Sequence, residues 1–255
     1  METRFFLECL AEASIGAADL LLNPTLGRLA SGSGCRDDCF EKKLRILAAR
    51  GVIVLPRAAD PRIVRLTRQG RELARSGVDP EACWAREWDG TWRFVLFDVA
   101  EVDRKVRDRL RRELVGARLG YLQGSVWVSP DPLAVLRKTV EAVTANPEAL
   151  LFIDGRPCAG ESDAAIVDGA WCFARINAAY RENLAAHRSM PRVSDPSCQW
   201  REWLAWERET WQAALTLDPL LPRRLLPAGY LGREAFGARR KALRAFAAHF
   251  FSPSA

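Results

Sequence analysis

The 255-residue chain is 49% hydrophobic and 27% charged, which excludes disorder as its main state and supplies a core for one large domain or two to three small ones. No stretch approaches the ~20 uninterrupted apolar residues of a bilayer span, and METRFFLECLAEAS lacks the basic region and apolar run of a secretory signal, so the expectation is a cytoplasmic protein that does not meet a membrane. Seven scattered cysteines, an odd number, argue for reduced thiols over a disulfide framework.

The net charge of +6 is localised. Between Cys35 and Arg75 stand eleven Lys/Arg and five acids, which is the whole excess. One compact cationic segment in an otherwise balanced chain is the electrostatic footprint of a polyanion-binding module. The same charge also fits a solvated basic face without a partner.

Residues 4–22 read as one or two helices, broken by Asn23-Pro24. From Asp38 to Arg50, Cys39, Leu44, Leu47 and Ala48 fall at helical spacing. Lys42, Lys43, Arg45 and Arg50 lie largely on the other side, Asp37 is a candidate cap, and Gly51 stands where the helix would end. Two β-rich runs follow, Val52 to Leu55 and Ile63 to Leu66, around the proline-bearing turn from Pro56 to Arg62. Thr67 then opens another helix.

Helix, basic hairpin and helix make the layout of a winged helix-turn-helix over residues 1–76. Its 38–50 helix would enter the major groove of double-stranded operator DNA, and its wing would meet phosphates or the minor groove. The candidate DNA-binding residues are Arg36, Lys42, Lys43, Arg45, Arg50, Arg57, Arg62 and Arg65.

Ser76 to Pro80 reads as a linker. A strand over Arg93 to Val99, a charged helix over Asp103 to Leu114, a strand pair within Gly120 to Pro130, a helix over Pro132 to Val143 and a strand over Leu150 to Ile153 follow. This βαββαβ order predicts a ferredoxin-like domain over residues 88–160. The remainder, 165–255, reads as a helical domain with helices at Ala170 to His187, Gln199 to Leu215 and Arg233 to Phe250. The fold class is therefore α+β.

Trp200, Trp203, Trp206 and Trp211 sit at near-helical spacing, which favours helix packing over a ligand cage. A helical bundle beside a sheet could still hold an effector, with Arg175, Arg181, Arg201 and Arg208 available to an anion.

Motifs of enzymatic chemistry are weak. Cys35 and Cys39 have zinc-like spacing, but His187 and His249 are the chain's two histidines and no second close pair exists. There is no Gly-x-Ser-x-Gly elbow and no complete Gly-rich phosphate loop. No cofactor, no metal and no catalytic residue is expected, and the chain is not read as an enzyme.

Three runs carry a family resemblance: Trp88-Asp89-Gly90-Thr91-Trp92-Arg93-Phe94-Val95-Leu96-Phe97-Asp98-Val99, the basic stretch from Arg104 to Leu114, and Gly124-Ser125-Val126-Trp127-Val128-Ser129-Pro130. Together with the later Asp218-Pro219-Leu220-Leu221-Pro222-Arg223-Arg224-Leu225-Leu226-Pro227 they resemble the phenylacetic-acid-degradation repressor (PaaX) family. That resemblance implies a homodimeric repressor of a catabolic operon, bound to its operator through the amino-terminal domains and released by an acyl-CoA-type effector. The central domain is also similar to the small ferredoxin-like CRISPR adaptation protein, through Gln123-Gly124-Ser125-Val126-Trp127 and the aspartate ending the first strand, Asp98. That second likeness leaves an alternative open: a metal-dependent nuclease in which Asp98 holds Mg²⁺. The same aspartate equally suits a strand-end cap.

Overall fold

The computed structural model describes residues 45–54, 65–69, 78–98, 104–142, 150–192 and 197–251. The chain divides into two compact units, one of Met1–Asp79, Ala179–Ala214 and Leu231–Ala255, the other of Pro80–Ala178 and Leu215–Tyr230. Among the described residues no helix is long and apolar enough to cross a membrane.

In the first unit, residues 45–49 are helical and Gly51 follows in the left-handed region at φ 68°. Such a helix end suits a residue without a Cβ. Strands β1 (Ile53–Val54) and β2 (Arg65–Leu66) then pair antiparallel, Ile53 opposite Leu66 and Val54 opposite Arg65. The hairpin read from the β-branched runs is thus present at its base. Thr67 closes it, its hydroxyl donating to the Gly51 carbonyl at 2.6 Å and its amide to the Val52 carbonyl at 3.1 Å. Leu47, Val52 and Ile53 are buried beneath.

The second unit starts with the short helix α1 (Pro80–Ala85), then strand β3 (Trp92–Phe97). Next come helix α2 (Arg104–Gly116), strands β4 (Gly120–Gln123) and β5 (Val126–Ser129), helix α3 (Ala134–Glu141) and strand β6 (Leu150–Gly155). The sheet order is β4-β5-β3-β6 with every pairing antiparallel. The βαββαβ order predicted from the sequence is therefore found, with β5 lying between the two strands that α2 connects, the split arrangement of a ferredoxin-like domain.

Period-two alternation sorts the β3 side chains. Val95 and Phe97 point to one face, where Trp127, Leu110, Leu114, Leu119 and Val140 complete a buried cluster, with Val106, Leu136 and Phe152 packed around it. In α2 the apolar residues Val106, Leu110 and Leu114 recur every fourth position, so one stripe enters the core while Arg104, Arg109, Arg111 and Arg112 are exposed and Arg107 is half-buried.

Helix α2 ends in a Schellman arrangement: Leu119 donates to the Leu114 carbonyl at 3.0 Å and Arg118 to that of Val115 at 2.9 Å. The left-handed position, usually glycine, is Arg118 at φ 65°. Its side chain explains the choice, because one guanidinium nitrogen donates to the carbonyls of Leu215, at 2.8 Å, and Asp218.

On the opposite sheet face, helix α4 (Asp163–Ala170) lies against β4. A Cβ at Gly120 would meet the Ala170 Cβ at 2.5 Å and the Trp171 ring at 2.6 Å, so β4 approaches this closely only with glycine there. Trp88, Trp92 and Trp171 pack in sequence as tilted pairs with centroids 5.2 and 6.3 Å apart. The fully buried Trp92 places its indole N–H on Asp163 Oδ1 at 2.9 Å. One helix beginning at Ala170 was expected; instead α4 stops, Trp171 is extended, and α5 (Phe173–Arg188) begins afresh. The break lets the Trp171 indole lie beside Gly120 and Trp92.

Helix α6 (Ser197–Leu217) and helix α7 (Gly232–Phe251) complete the chain. Within the first unit Trp200 meets Phe246 at 5.7 Å, and Trp211 meets Tyr180 at 6.0 Å and Phe236 at 5.9 Å.

Replacing Arg118 separates its two duties. Arg118→Ala keeps the left-handed strain and loses the carbonyl bonds, an expected cost of about 2 kcal/mol. Arg118→Gly loses the same bonds but relieves roughly 1 kcal/mol of strain, so urea unfolding should rank it between wild type and Arg118→Ala. Equal stability of all three would contradict the anchoring role.

Candidate nucleic-acid interface

The amino-terminal candidates divide by position. Arg36, Lys42, Lys43, Arg57 and Arg62 lie outside the described residues. Arg45 opens the helical residues 45–49 and Arg50 directly follows them, both exposed, while Arg65 sits in β2 opposite Val54. Buried Leu47, Val52 and Ile53 back this small surface.

Asp98 is exposed just past the end of β3. Among the described residues no group of three or more His, Cys, Asp or Glu could hold a metal ion. Cys83, Cys158 and Cys172 are free thiols; Cys35 and Cys39 lie outside the described residues. Of the four clustered tryptophans, Trp200, Trp203 and Trp211 are buried and Trp206 is 38% exposed, so most of the cluster is packing. Arg175 and Arg181 are exposed and Arg208 is half-buried. The side chain of Arg201 lies outside the described residues.

A cleft of about 800 Å³ in the second unit is lined by Trp84, Arg86, Glu87, Trp88, Pro222, Arg223 and Arg224. Arg86 is committed to structure: it grips both oxygens of Asp131, at 2.7 and 2.8 Å, and donates to the carbonyl of Leu220. Arg223 and Arg224 are exposed, and the Arg224 guanidinium lies 5.6 Å over the Trp88 ring. Flat aromatic walls with exposed guanidiniums suit an anion that carries an apolar part, although Glu87 sets one negative charge on the rim.

Residues 85–167 match the family model of the PaaX protein central Cas2-like domain. The central domain is thus similar to the central Cas2-like domain of PaaX proteins. The resemblance read from Trp88 to Pro130 is therefore borne out, and the structure shows what its residues do. Asp89 accepts from the Thr91 amide at 3.0 Å and Gly90 turns at φ 76°. Arg93 bonds Asp89 and reaches the Pro130 carbonyl at 2.9 Å, tying the start of β3 to the end of β5. That bonded guanidinium holds the Asp89 carboxyl below the usual carboxylate range.

No curated protein matches the chain. A solved structure, the uncharacterized protein Rv0674 from Mycobacterium tuberculosis, is similar over 96% of this chain and 94% of its own, with a TM-score of 0.63 and 22% identity. At that identity the likeness concerns the fold.

Sequence reasoning missed a buried polar cluster in the first unit. Glu207 and Arg239 are both buried and pair at 3.0 Å, and the Arg239 guanidinium lies 5.1 Å over the Trp211 ring. Asn183, also buried, donates to the Thr210 hydroxyl at 3.1 Å and to the Glu207 carbonyl at 3.3 Å, and its amide oxygen meets His187 Nε2 at 3.0 Å. The available signal was positional: Asn183 and Glu207 interrupt the apolar stripes formed by Tyr180 and Leu184 on α5 and by Trp200, Trp203, Leu204 and Trp211 on α6.

Burial, followed by the charge of Arg239, lowers the His187 pKa from 6.5 to about 4. The ring is neutral in the folded state, whereas the unfolded chain protonates first as pH falls. The stability linked to His187 is thus complete above pH 6.5 and is lost as pH falls towards 4. His187→Gln removes this component, so thermal unfolding between pH 7.5 and 4.5 should show a larger loss of Tm for wild type than for the variant. Equal losses would contradict a neutral, desolvated His187.

Proposed function

We propose that this chain is a DNA-binding transcriptional regulator that acts as a homodimeric repressor of a catabolic operon. The match of residues 85–167 to the PaaX central domain carries this reading. Residues 1–76 are its DNA-binding domain, a winged helix-turn-helix in which Arg36, Lys42, Lys43, Arg45, Arg50, Arg57, Arg62 and Arg65 meet operator DNA. Residues 88–160 form the dimerisation domain. Residues 165–255, read from the sequence as one helical domain and divided here between the two compact units, carry the effector role.

Two features support the finer parts. The sheet face opposite α2 and α3 exposes an apolar strip, with Leu151 and Ile153 54% and 42% exposed and Phe94, Leu96 and Val126 half-buried beside them. Exposed apolar area of this kind marks association surfaces. A second copy seated there would pair two DNA-binding domains, as reading a palindrome requires. The cleft of Trp88, Arg223 and Arg224 suits an acyl-CoA-type effector, whose phosphates need cations and whose acyl group needs an apolar wall. By linkage, such an effector and the operator would weaken one another by the same factor.

The recognition helix is tested by replacing Lys42, Lys43 and Arg45 together with alanine in the full chain and measuring duplex affinity across a salt series. Each phosphate that the variant no longer neutralises should lower the slope of log affinity against log salt by about 0.9. A variant with wild-type affinity and slope would remove this helix from the groove.

A further inference from the structure

We infer that helix α2 of the central domain is a second duplex-DNA contact, separate from the amino-terminal helix and hairpin. The inference rests on the DNA-binding reading above but assigns a surface that reading does not use. Helix α2 carries six cations in 13 residues, Arg104, Lys105, Arg107, Arg109, Arg111 and Arg112, against Asp108 and Glu113. Its apolar stripe is committed to the core through Leu110 and Leu114, both fully buried. Arg104, Lys105, Arg109, Arg111 and Arg112 are all exposed.

Internal pairing leaves most of this charge unneutralised. Asp108 stands 3.9 Å from Arg104, and Arg112 donates to the Asp108 backbone carbonyl at 3.3 Å. Lys105, Arg109 and Arg111 have no carboxylate partner among the described residues. The half-buried Glu113 lies at the edge of the face. The neighbouring α3 does not offset it: Arg137 is tied to Glu141 at 2.7 Å, and Lys138 is exposed. Like charges on one helix repel at a cost that a bound polyanion reverses.

The chemistry favours nucleic-acid phosphates over a lipid surface. An interfacial helix inserts an apolar face, and the apolar face of α2 is already buried, leaving Val115 as the exposed large apolar residue on it. Guanidiniums, which dominate here, bond phosphate in a bidentate fashion. At 1.5 Å per residue the helix spans about 20 Å, along which a duplex presents on the order of ten phosphates.

The test uses the full chain with Lys105, Arg109 and Arg111 replaced together by glutamine, a change at exposed positions that keeps helix propensity. Thermal unfolding verifies the fold, and anisotropy of a labelled 20-bp duplex of arbitrary sequence, in a salt series, reads the binding. The expected result is a salt slope lower by about 2 to 3 and an affinity about 10- to 100-fold weaker near 100 mM salt. Arg233→Gln with Lys241→Gln, two exposed cations on α7, is the control for overall charge and should change the slope far less. A triple variant that binds like wild type, or a control that weakens binding as much per charge, would overturn the inference. Absence of duplex binding by the wild type would instead overturn the regulator reading on which it rests, and an α2 triple variant defective only towards an acidic peptide would transfer the face to a protein partner.

Discussion

Two arginines hold a distant loop of chain onto the central sheet domain. Arg118, at the end of α2, donates to the carbonyls of Leu215 and Asp218, and Arg86, after α1, donates to that of Leu220. Each of those carbonyls would cost about 1 to 3 kcal/mol if buried unmet, and Asp218, Leu220 and Leu221 are almost wholly buried. Asp218 repeats the arrangement from inside the loop, accepting from the Leu220 amide at 2.7 Å and from the Tyr230 hydroxyl. Leu220 is thereby fixed at φ 51°, a conformation that bulky residues adopt only when surroundings over-determine it. The segment 215–230 thus belongs to the PaaX-type unit although it lies outside the matched residues 85–167. The cleft beneath Arg223 and Arg224 exists because of this attachment.

The two sheet faces have opposite chemistry. One is roofed by α2 and α3, whose outward side is cationic, and the other is covered by α4 and Trp171 at β4 and leaves Leu151 and Ile153 exposed on β6. A charged face and an apolar face on one small domain have different partners, since water favours covering the second and a polyanion favours the first. The proposed dimer seam and the proposed DNA contact fall on opposite sides of a single sheet and do not compete for area.

Local chemistry was legible in the sequence wherever a pattern and its consequence lay close together. Alternation in Arg93 to Phe97, the four-residue spacing of Val106, Leu110 and Leu114, and the turn around Gly124 sufficed for the βαββαβ order. The base of the hairpin was readable because Ile53 and Leu66 stand among β-branched neighbours. What escaped depends on contacts between residues far apart in the chain. The break at Trp171 follows from the space over Gly120, 51 positions earlier. The duty of Arg86 follows from a carbonyl 134 residues away. The Glu207–Arg239 pair is invisible in composition, since either residue alone resembles an ordinary solvated charge. Of the candidate DNA-binding set, Arg45, Arg50 and Arg65 fall where the structure is described: Arg45 is helical and Arg65 lies in β2, as the sequence reading placed them, whereas Arg50 stands in the turn after the helical residues rather than within the helix.

The proposed seam between two copies is what would tie the sheet to the proposed repressor reading, because a single winged helix would offer too small a contact for high discrimination. Sedimentation equilibrium of the full chain, alone and with Leu151→Asp and Ile153→Asp combined, addresses it most directly. Wild type should sediment at twice the chain mass of 28.5 kDa and the exposed-face variant at 28.5 kDa with its fold intact. A wild type that remains at 28.5 kDa at micromolar concentration, or a variant that stays dimeric, would contradict the sheet face as the place where two chains meet.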